Sequence, residues 1–455
     1  MASFFHPSEV LALLQYKISS HNKYDYSNNK TRQHLYYHLQ KASHSYSSVI
    51  QDLDDGVKDA FCLFYLALRG LDTIEDDMTI AIDVKVPLLK SFHEILYKKG
   101  WTFQGNGPNE KDRQLLIEYD IVIDAFLQLR PEYQAVIAKM TRLMGDGMAL
   151  HVTKGLHMET IADYDHYCHV AAGLVGWGLN DLFIACGYDA AEIARNKNLS
   201  DSVGICIQKI HICSDFLEDL RDGRQFWPRE IWSQYVDKIE DLTKIENKEK
   251  ALHCLSHVVC NALGHVCDVL EYLHLIRSPP VFRFCSPIFV VSFATLHRVH
   301  SNPQVFVKDF IRIRKGEAAW LKKQARDVNS VMAIFRIYAR RINEKTLPLD
   351  PHANDISALC TRIEQTCAEW HPKSDRDVKR QKNTVAGAGR RPGCNDASRR
   401  DPFQDRQESS PHAHIQQEPD QAREAALASA DYSSQNGGAS PSYVTALAIN
   451  NQVMY

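Results

Sequence analysis

No two of the twelve cysteines stand in a CxxC pair, and their spacings show no regularity. That removes the usual ligand pattern of a zinc site and the framework of a disulfide-stapled domain. Cys62, Cys168, Cys206 and Cys285 lie in apolar contexts and read as buried thiols of a reducing compartment. Charge of one sign is also missing. The net charge is −3, so no global basic field points to nucleic acid or to an anionic membrane. The N-terminus has no basic segment followed by an apolar one, and no secretory signal is expected. The longest apolar stretch, residues 287–296, is about half of the roughly 20 residues a membrane span needs. The chain is expected to be soluble and cytoplasmic.

Runs that alternate with period two are scarce as well, which argues against sheets. Apolar residues instead recur at three- and four-residue spacing, as in Val49, Leu53 and Val57, then Leu63, Leu66 and Leu71, then Val122, Phe126 and Leu129. With 44% hydrophobic residues, this predicts one large all-α domain of helices packed on helices, over residues 1–371. Breaks are expected at 100–107, 187–198, 222–228, 278–280 and 302–303. From residue 372 to 455 large apolar groups nearly vanish, and Arg, Asp, Gln, Ser, Gly and Ala take over. Such a segment cannot bury enough surface to offset its ordering entropy, so a disordered low-complexity tail is expected.

Two segments carry chemistry. Asp72-Thr73-Ile74-Glu75-Asp76 and Asp215-Phe216-Leu217-Glu218-Asp219 are both D-x-x-E-D. At average composition the pattern should arise roughly 0.1 times by chance in such a chain, so two copies are informative. On a helix, i, i+3 and i+4 share a face, so each copy makes one acidic patch. Both patches end apolar helical stretches, where like charges need a cation. Mg²⁺ suits such a site, because it takes one or two carboxylates together with water and substrate phosphates. Two patches facing each other could hold a diphosphate and neutralise it as it departs. The bland alternative is two solvated acidic helix faces.

The surrounding residues resemble the squalene/phytoene synthase family, and squalene synthases in particular, over roughly residues 30–345. The likeness rests on Phe64-Tyr65-Leu66-Ala67-Leu68-Arg69, Lys111-Asp112-Arg113-Gln114, Tyr167-Cys168-His169, Gly173-Leu174-Val175-Gly176, Gly223-Arg224-Gln225-Phe226-Trp227-Pro228 and Ile313-Arg314-Lys315-Gly316, besides the two triplets. The resemblance implies a class I isoprenoid-synthase-type helical domain with a central cavity. It implies a prenyltransferase that joins two farnesyl diphosphates and then uses NADPH, here an uncertain cofactor. It places Asp72, Glu75, Asp76, Asp215, Glu218 and Asp219 at the metal, and Arg69, Lys111, Arg113, Gln208 and Arg224 at the substrate. Arg69, Arg312, Arg314 and Lys315 fall at cofactor or phosphate positions, although such a basic run is usually a solvated face. Tyr65 is implied at the cavity. His211 lies one helical turn before Asp215, where it can act as a base, a cation-stabilising ring or plain packing. A monomer is expected, with no nucleic-acid partner and no membrane anchor, and at most a peripheral place at the endoplasmic reticulum.

The departures from the family pattern are specific. Its tyrosine after the Cys-His pair is Val170, the arginine of its S-R-S-F segment is His44, and its Ser-Arg pair reads Asn180-Asp181. Its asparagine and arginine ahead of the second triplet are His211 and Ser214, and its Ile-Pro-Gln reads Pro287-Ile288-Phe289. The ionisation residues therefore remain, while those that steer cyclopropanation and reduction differ. That favours specialised metabolism. A functional squalene synthase, a cyclase or diphosphatase, and a non-catalytic binder of prenyl diphosphates remain as alternatives. The run Gly173–Gly178 lacks the order and the preceding strand of a dinucleotide loop, so close approach of a helix to a substrate chain is expected there.

Overall fold

A computed structural model of the chain describes residues 7–23, 26–154 and 158–370. The expected tail, 372–455, lies outside the described residues. The described ones fall in one compact unit, built of twenty α-helices with no β-strand among them. The first seven are α1 (Pro7–Lys23), α2 (Lys30–Ala42), α3 (His44–Ile50), α4 (Lys58–Glu75), α5 (Ile82–Ile95), α6 (Arg113–Ile117) and α7 (Tyr119–Phe126). Next come α8 (Pro131–Lys154), α9 (Ile161–Cys168), α10 (Leu174–Ala185), α11 (Ala191–Arg195), α12 (Lys197–Ser214), α13 (Phe216–Arg221) and α14 (Arg229–Trp232). The last are α15 (Lys248–Leu263), α16 (Val266–Leu275), α17 (Pro279–Val299), α18 (Lys315–Gln324), α19 (Val328–Lys345) and α20 (Ala353–Glu369).

Local sequence sets several of these starts. Asn29 and Ser43 accept hydrogen bonds from the amides of Arg32 and Tyr46 at the heads of α2 and α3. Thr160 and Asp163 form a reciprocal capping box on α9. Helix α4 is apolar through most of its length and is buried, all but Asp59 of its residues being inside. It packs on α2, α5, α7 and α8, while α12 packs on α10, α15, α16 and α17. Helix α4 ends in the first carboxylate triplet, and α12 leads into the second.

The expected breaks at 100–107 and 222–228 lie between helices, but 187–198 holds α11 and the start of α12, and Pro279 and Pro280 already belong to α17. Gly100, Gly187 and Gly223 adopt positive φ, which favours glycine. At the glycine run 173–178 the close neighbours are other helices of the fold. A Cβ at Gly176 would stand 2.9 Å from the Ser200 carbonyl oxygen on α12, and one at Gly204 2.4 Å from the Ala172 carbonyl oxygen. Between α9 and α10 the chain makes a five-residue π-helical turn, His169–Gly173. Such turns are uncommon and gather at functional sites.

The apolar stretch 287–296 belongs to a longer helix than its sequence shows, since Pro279 and Pro280 fit the first turn of α17. Two stretches, 161–185 and 279–299, are long and apolar enough to cross a membrane by length and composition. Half of the apolar window in the first and 78% in the second is buried inside the fold. Cys62, Cys168, Cys206 and Cys285 are buried thiols.

Candidate active site

The first triplet forms where α4 runs out. Asp72 is fully buried, and neither carboxylate oxygen makes a hydrogen bond. Arg69, one turn earlier, stands 3.5 Å from it. Burial and then the neighbouring Asp76 carboxylate push Glu75 well above the usual carboxylate range. Burial does the same to Asp72, against the pull of Arg69, and raises Asp76 as well. Lys85 on α5 donates to the Glu75 carbonyl oxygen at 2.7 Å and so fixes the helix end. Asp77 faces away and has a different role. Burial alone would raise its carboxyl, but hydrogen bonds from Thr79, Asn106 and Gly107 hold it below the usual range.

The second triplet spans the joint of α12 and α13. Asp215 is buried, accepts from Ser214 Oγ at 3.0 Å and is ion-paired to Arg312. Glu218 keeps a buried oxygen, Oε2, without a hydrogen bond. Helix α13 then closes with Gly223 at φ +80°, the Gly223 amide bonding the Leu220 carbonyl and the Arg224 amide the Asp219 carbonyl. That turn brings Arg224 back onto its own helix. Its Nε and Nη2 donate to Asp219 Oδ1 at 3.1 and 2.9 Å. Burial, outweighing Arg224, pushes the Asp219 carboxyl up to about 8.

The two triplets lie within electrostatic reach of each other. Arg224 also pulls down the Asp76 carboxyl, Lys111 feels both Arg69 and Glu218, and Tyr167 feels Glu75, Asp76 and Asp219. Burial, followed by those carboxylates, keeps Tyr167 a phenol, and its ring stacks on Phe226 at 4.8 Å. An apolar cavity opens beside the second triplet, walled by Tyr46, Val175, Gly176, Ile207, Phe284 and Phe289. Gln208 and His211 line it from α12. Burial pushes the His211 imidazole down to about 4, so it is neutral near pH 7, and its Nε2 makes no hydrogen bond. Tyr65 is buried with its ring centroid 5.6 Å from that of Tyr46, and its hydroxyl makes no hydrogen bond.

A family model of squalene/phytoene synthases matches residues 39–324. The chain belongs to that family. It is 41% identical over 378 residues to the squalene synthase of Schizosaccharomyces pombe, covering 81% of this chain and 82% of that one. It is 42% identical over 370 residues to the squalene synthase of Yarrowia lipolytica, covering 80% and 83%. A solved structure of TcSQS in complex with a ligand superposes with a TM-score of 0.72 at 35% identity, over 75% of this chain and 99% of that one. The protein is a squalene synthase-like prenyltransferase with the all-α fold of that family.

Within this frame the remaining family positions can be placed. Val170 sits in the π-helical turn and packs against Gly147, where a Cβ would lie 2.6 Å from a Val170 methyl. Asn180 accepts from the Tyr272 hydroxyl at 2.6 Å and donates to Ser200 Oγ at 2.8 Å, fixing one wall of the cavity. Phe289 lines that cavity with its ring edge-on to Tyr272. Arg312 donates to Ser214 Oγ at 2.9 Å, bonding the side chain that replaces the family's arginine.

Not every expected residue reaches the site. Arg113 donates to the Asn106 carbonyl at 3.2 Å and so braces a loop. Arg314 is exposed and binds Glu9 of α1 at 2.6 Å, and Lys315 is exposed beside it. Of the four basic residues implied for NADPH, Arg69, Arg312 and Arg314 are held by protein carboxylates. A nucleotide phosphate would have to displace these carboxylates, so the three arginines do not form an open phosphate seat. Mg²⁺ fits the residues better. Buried carboxylate oxygens of Asp72, Asp76 and Glu218 without hydrogen bonds are the hard oxygen donors that such a cation takes.

Asp112 and Tyr167 were absent from the expected site. Asp112 binds Arg69 and Tyr167 faces both triplets. Both stand inside the quoted motifs, so the signal was present, but nothing local says what they touch.

Proposed function

We propose that this chain is a Mg²⁺-dependent enzyme that ionises farnesyl diphosphate and passes the farnesyl group to an acceptor in specialised terpenoid metabolism. The supporting observation is the pairing of two neighbouring carboxylate triplets, some of whose buried oxygens lack hydrogen bonds, with an adjoining apolar cavity. Asp72, Glu75, Asp76, Asp215, Glu218 and Asp219 would hold the cation, which when bound neutralises charge developing on the departing diphosphate. Lys111 and Arg224 add cationic groups at the same end. The apolar walls keep water from the allylic cation, and the rings of Tyr46, Phe284 and Phe289 offer it their faces. Neutral His211 borders both the cavity and Asp215, where it is placed to accept a proton.

The acceptor is a second farnesyl diphosphate or another nucleophile. Val170 favours a product other than squalene, because valine has neither a transferable proton nor an aromatic face at the position of the family's tyrosine. The second reading is a functional squalene synthase. Identity of 41% over 378 residues to a squalene synthase favours it. It requires another group, such as His211 or Tyr167, to act for the missing tyrosine. Incubating purified protein with farnesyl diphosphate, Mg²⁺ and NADPH, then identifying the products, separates the two. Squalene as the main product upholds the second reading. Another prenyl product upholds the first, and unconsumed substrate defeats both.

A further inference from the structure

We propose that His34, His38 and Glu118 form a binding site for one divalent transition metal of the zinc type, distinct from the carboxylate triplets. His34 and His38 stand four residues apart on α2 and share a face. Glu118, between α6 and α7, comes from elsewhere in the chain and closes the set. Its Oε2 lies 3.2 Å from His38 Nε2 and 3.7 Å from His34 Nδ1. One ligand atom from each residue fits within 4.8 Å of the others. Zinc bonds to nitrogen and oxygen are about 2.0–2.2 Å, so tetrahedral ligands stand roughly 3.3–3.6 Å apart. The three groups are therefore already near coordination distance.

Other observations point the same way. The His38 side chain is only 2% exposed, so its imidazole is held in place beside the carboxylate. The two rings lie 4.6 Å apart, tilted around one carboxylate. A plain histidine–carboxylate pair needs one imidazole, and here two converge on the same carboxylate. Glu118 is 37% exposed, so solvent reaches the site and a water can take the fourth position. Imidazole nitrogen suits zinc, cobalt or nickel, whereas Mg²⁺ prefers the all-oxygen triplets.

The site has a consequence for the segment it would clamp. Lys41 on α2 also donates to the Lys111 carbonyl at 3.0 Å. Lys41, His34 and His38 thus tie α2 to residues 111–118, which include Asp112, the partner of Arg69. The metal acts as a brace and takes no part in chemistry.

The test uses the full chain, stripped with chelator, dialysed and kept in excess Mg²⁺ to occupy the triplets. Zn²⁺ is titrated with calorimetry, and Co²⁺ serves as the optical probe. About one Zn²⁺ per chain is expected, with a raised thermal midpoint. His34→Gln and Glu118→Gln should weaken binding by at least the ~10–100-fold that loss of even an outer partner brings, and should remove the thermal shift. His34 and Glu118 are partly exposed, so these variants should fold even if His38→Ala does not. No Zn²⁺ uptake in excess Mg²⁺, or equal uptake by wild type and both variants, overturns the site. Neither readout depends on farnesyl diphosphate turnover.

Discussion

Nε and Nη2 of Arg69 both reach Oδ2 of Asp112, at 2.8 and 2.6 Å. The pair is buried, and it leaves Arg69 also 3.5 Å from Asp72. The arginine thus joins the first triplet to the loop that carries Lys111. Breaking such a pair costs more than forming it gains, because one charge stays buried alone. Asp112→Ala should therefore destabilise the protein by about 3–5 kcal/mol, read from urea unfolding midpoints. A change close to zero would show that Arg69 finds equal support from Asp72.

The triplets set a second expectation. Asp72→Asn and Asp215→Asn should each lower kcat for farnesyl diphosphate consumption by at least about 100-fold, since each removes an oxygen donor that acts on the leaving group. Chelator should abolish turnover and added Mg²⁺ restore it. Undiminished rates in both variants, or full activity in EDTA, would remove the metal-dependent reading.

Product analysis gives the third. With NADPH present, squalene should be a minor product or absent, because Val170, Ser214 and Phe289 replace polar, charged or aromatic groups that the family pattern carries. Gas chromatography of the extract should instead show farnesol, a ring-closed terpene or a farnesylated acceptor. Squalene made at an ordinary rate ends the specialised-metabolism reading.

The fourth concerns acid stability. His265 accepts from Lys209 Nζ at 2.9 Å, while its Nδ1 lies 2.8 Å from Ser202 Oγ. Burial and then Lys209 push its imidazole down to about 4, despite the opposing carboxylates of Asp165, Asp268 and Asp201. The unfolded chain takes up a proton there through about pH 6.5, so it binds more protons than the native state between about 6.5 and 4. Stability should fall as pH drops through that window. His265→Gln keeps an acceptor for Lys209 without a titrating ring, so its urea midpoint should depend less on pH. Identical slopes would assign the acid loss to other groups.

The fold and the triplets were legible because both are local. Three- and four-residue periodicity marks a helix from within, and D-x-x-E-D brings three carboxylates together locally, although Asp215 stands at the break between α12 and α13 and not on one helix with Glu218 and Asp219. His211 could be placed for the same reason, one turn before Asp215. The partners were not legible. Asp112 lies 43 residues from Arg69, Arg312 lies 97 from Asp215, and Arg314 is spent on Glu9, 305 residues away. Glu118 is 80 residues from His38, so a search for metal-ligand spacing passes over that cluster. A basic run such as 312–315 shows charge, but what neutralises it is decided by the fold.

Asp77 carries one more consequence. Its carboxylate receives the amide and hydroxyl of Thr79 at 2.9 and 2.6 Å, and it receives Asn106 and Gly107 at 2.9 and 2.8 Å. Asn106 also donates to the Thr73 carbonyl, one turn back on α4. The end of that helix and the loop behind Lys111 are thereby stitched into one plate. They cannot breathe separately. Hydrogen exchange at the amides of Thr79 and Gly107 should rise and fall together.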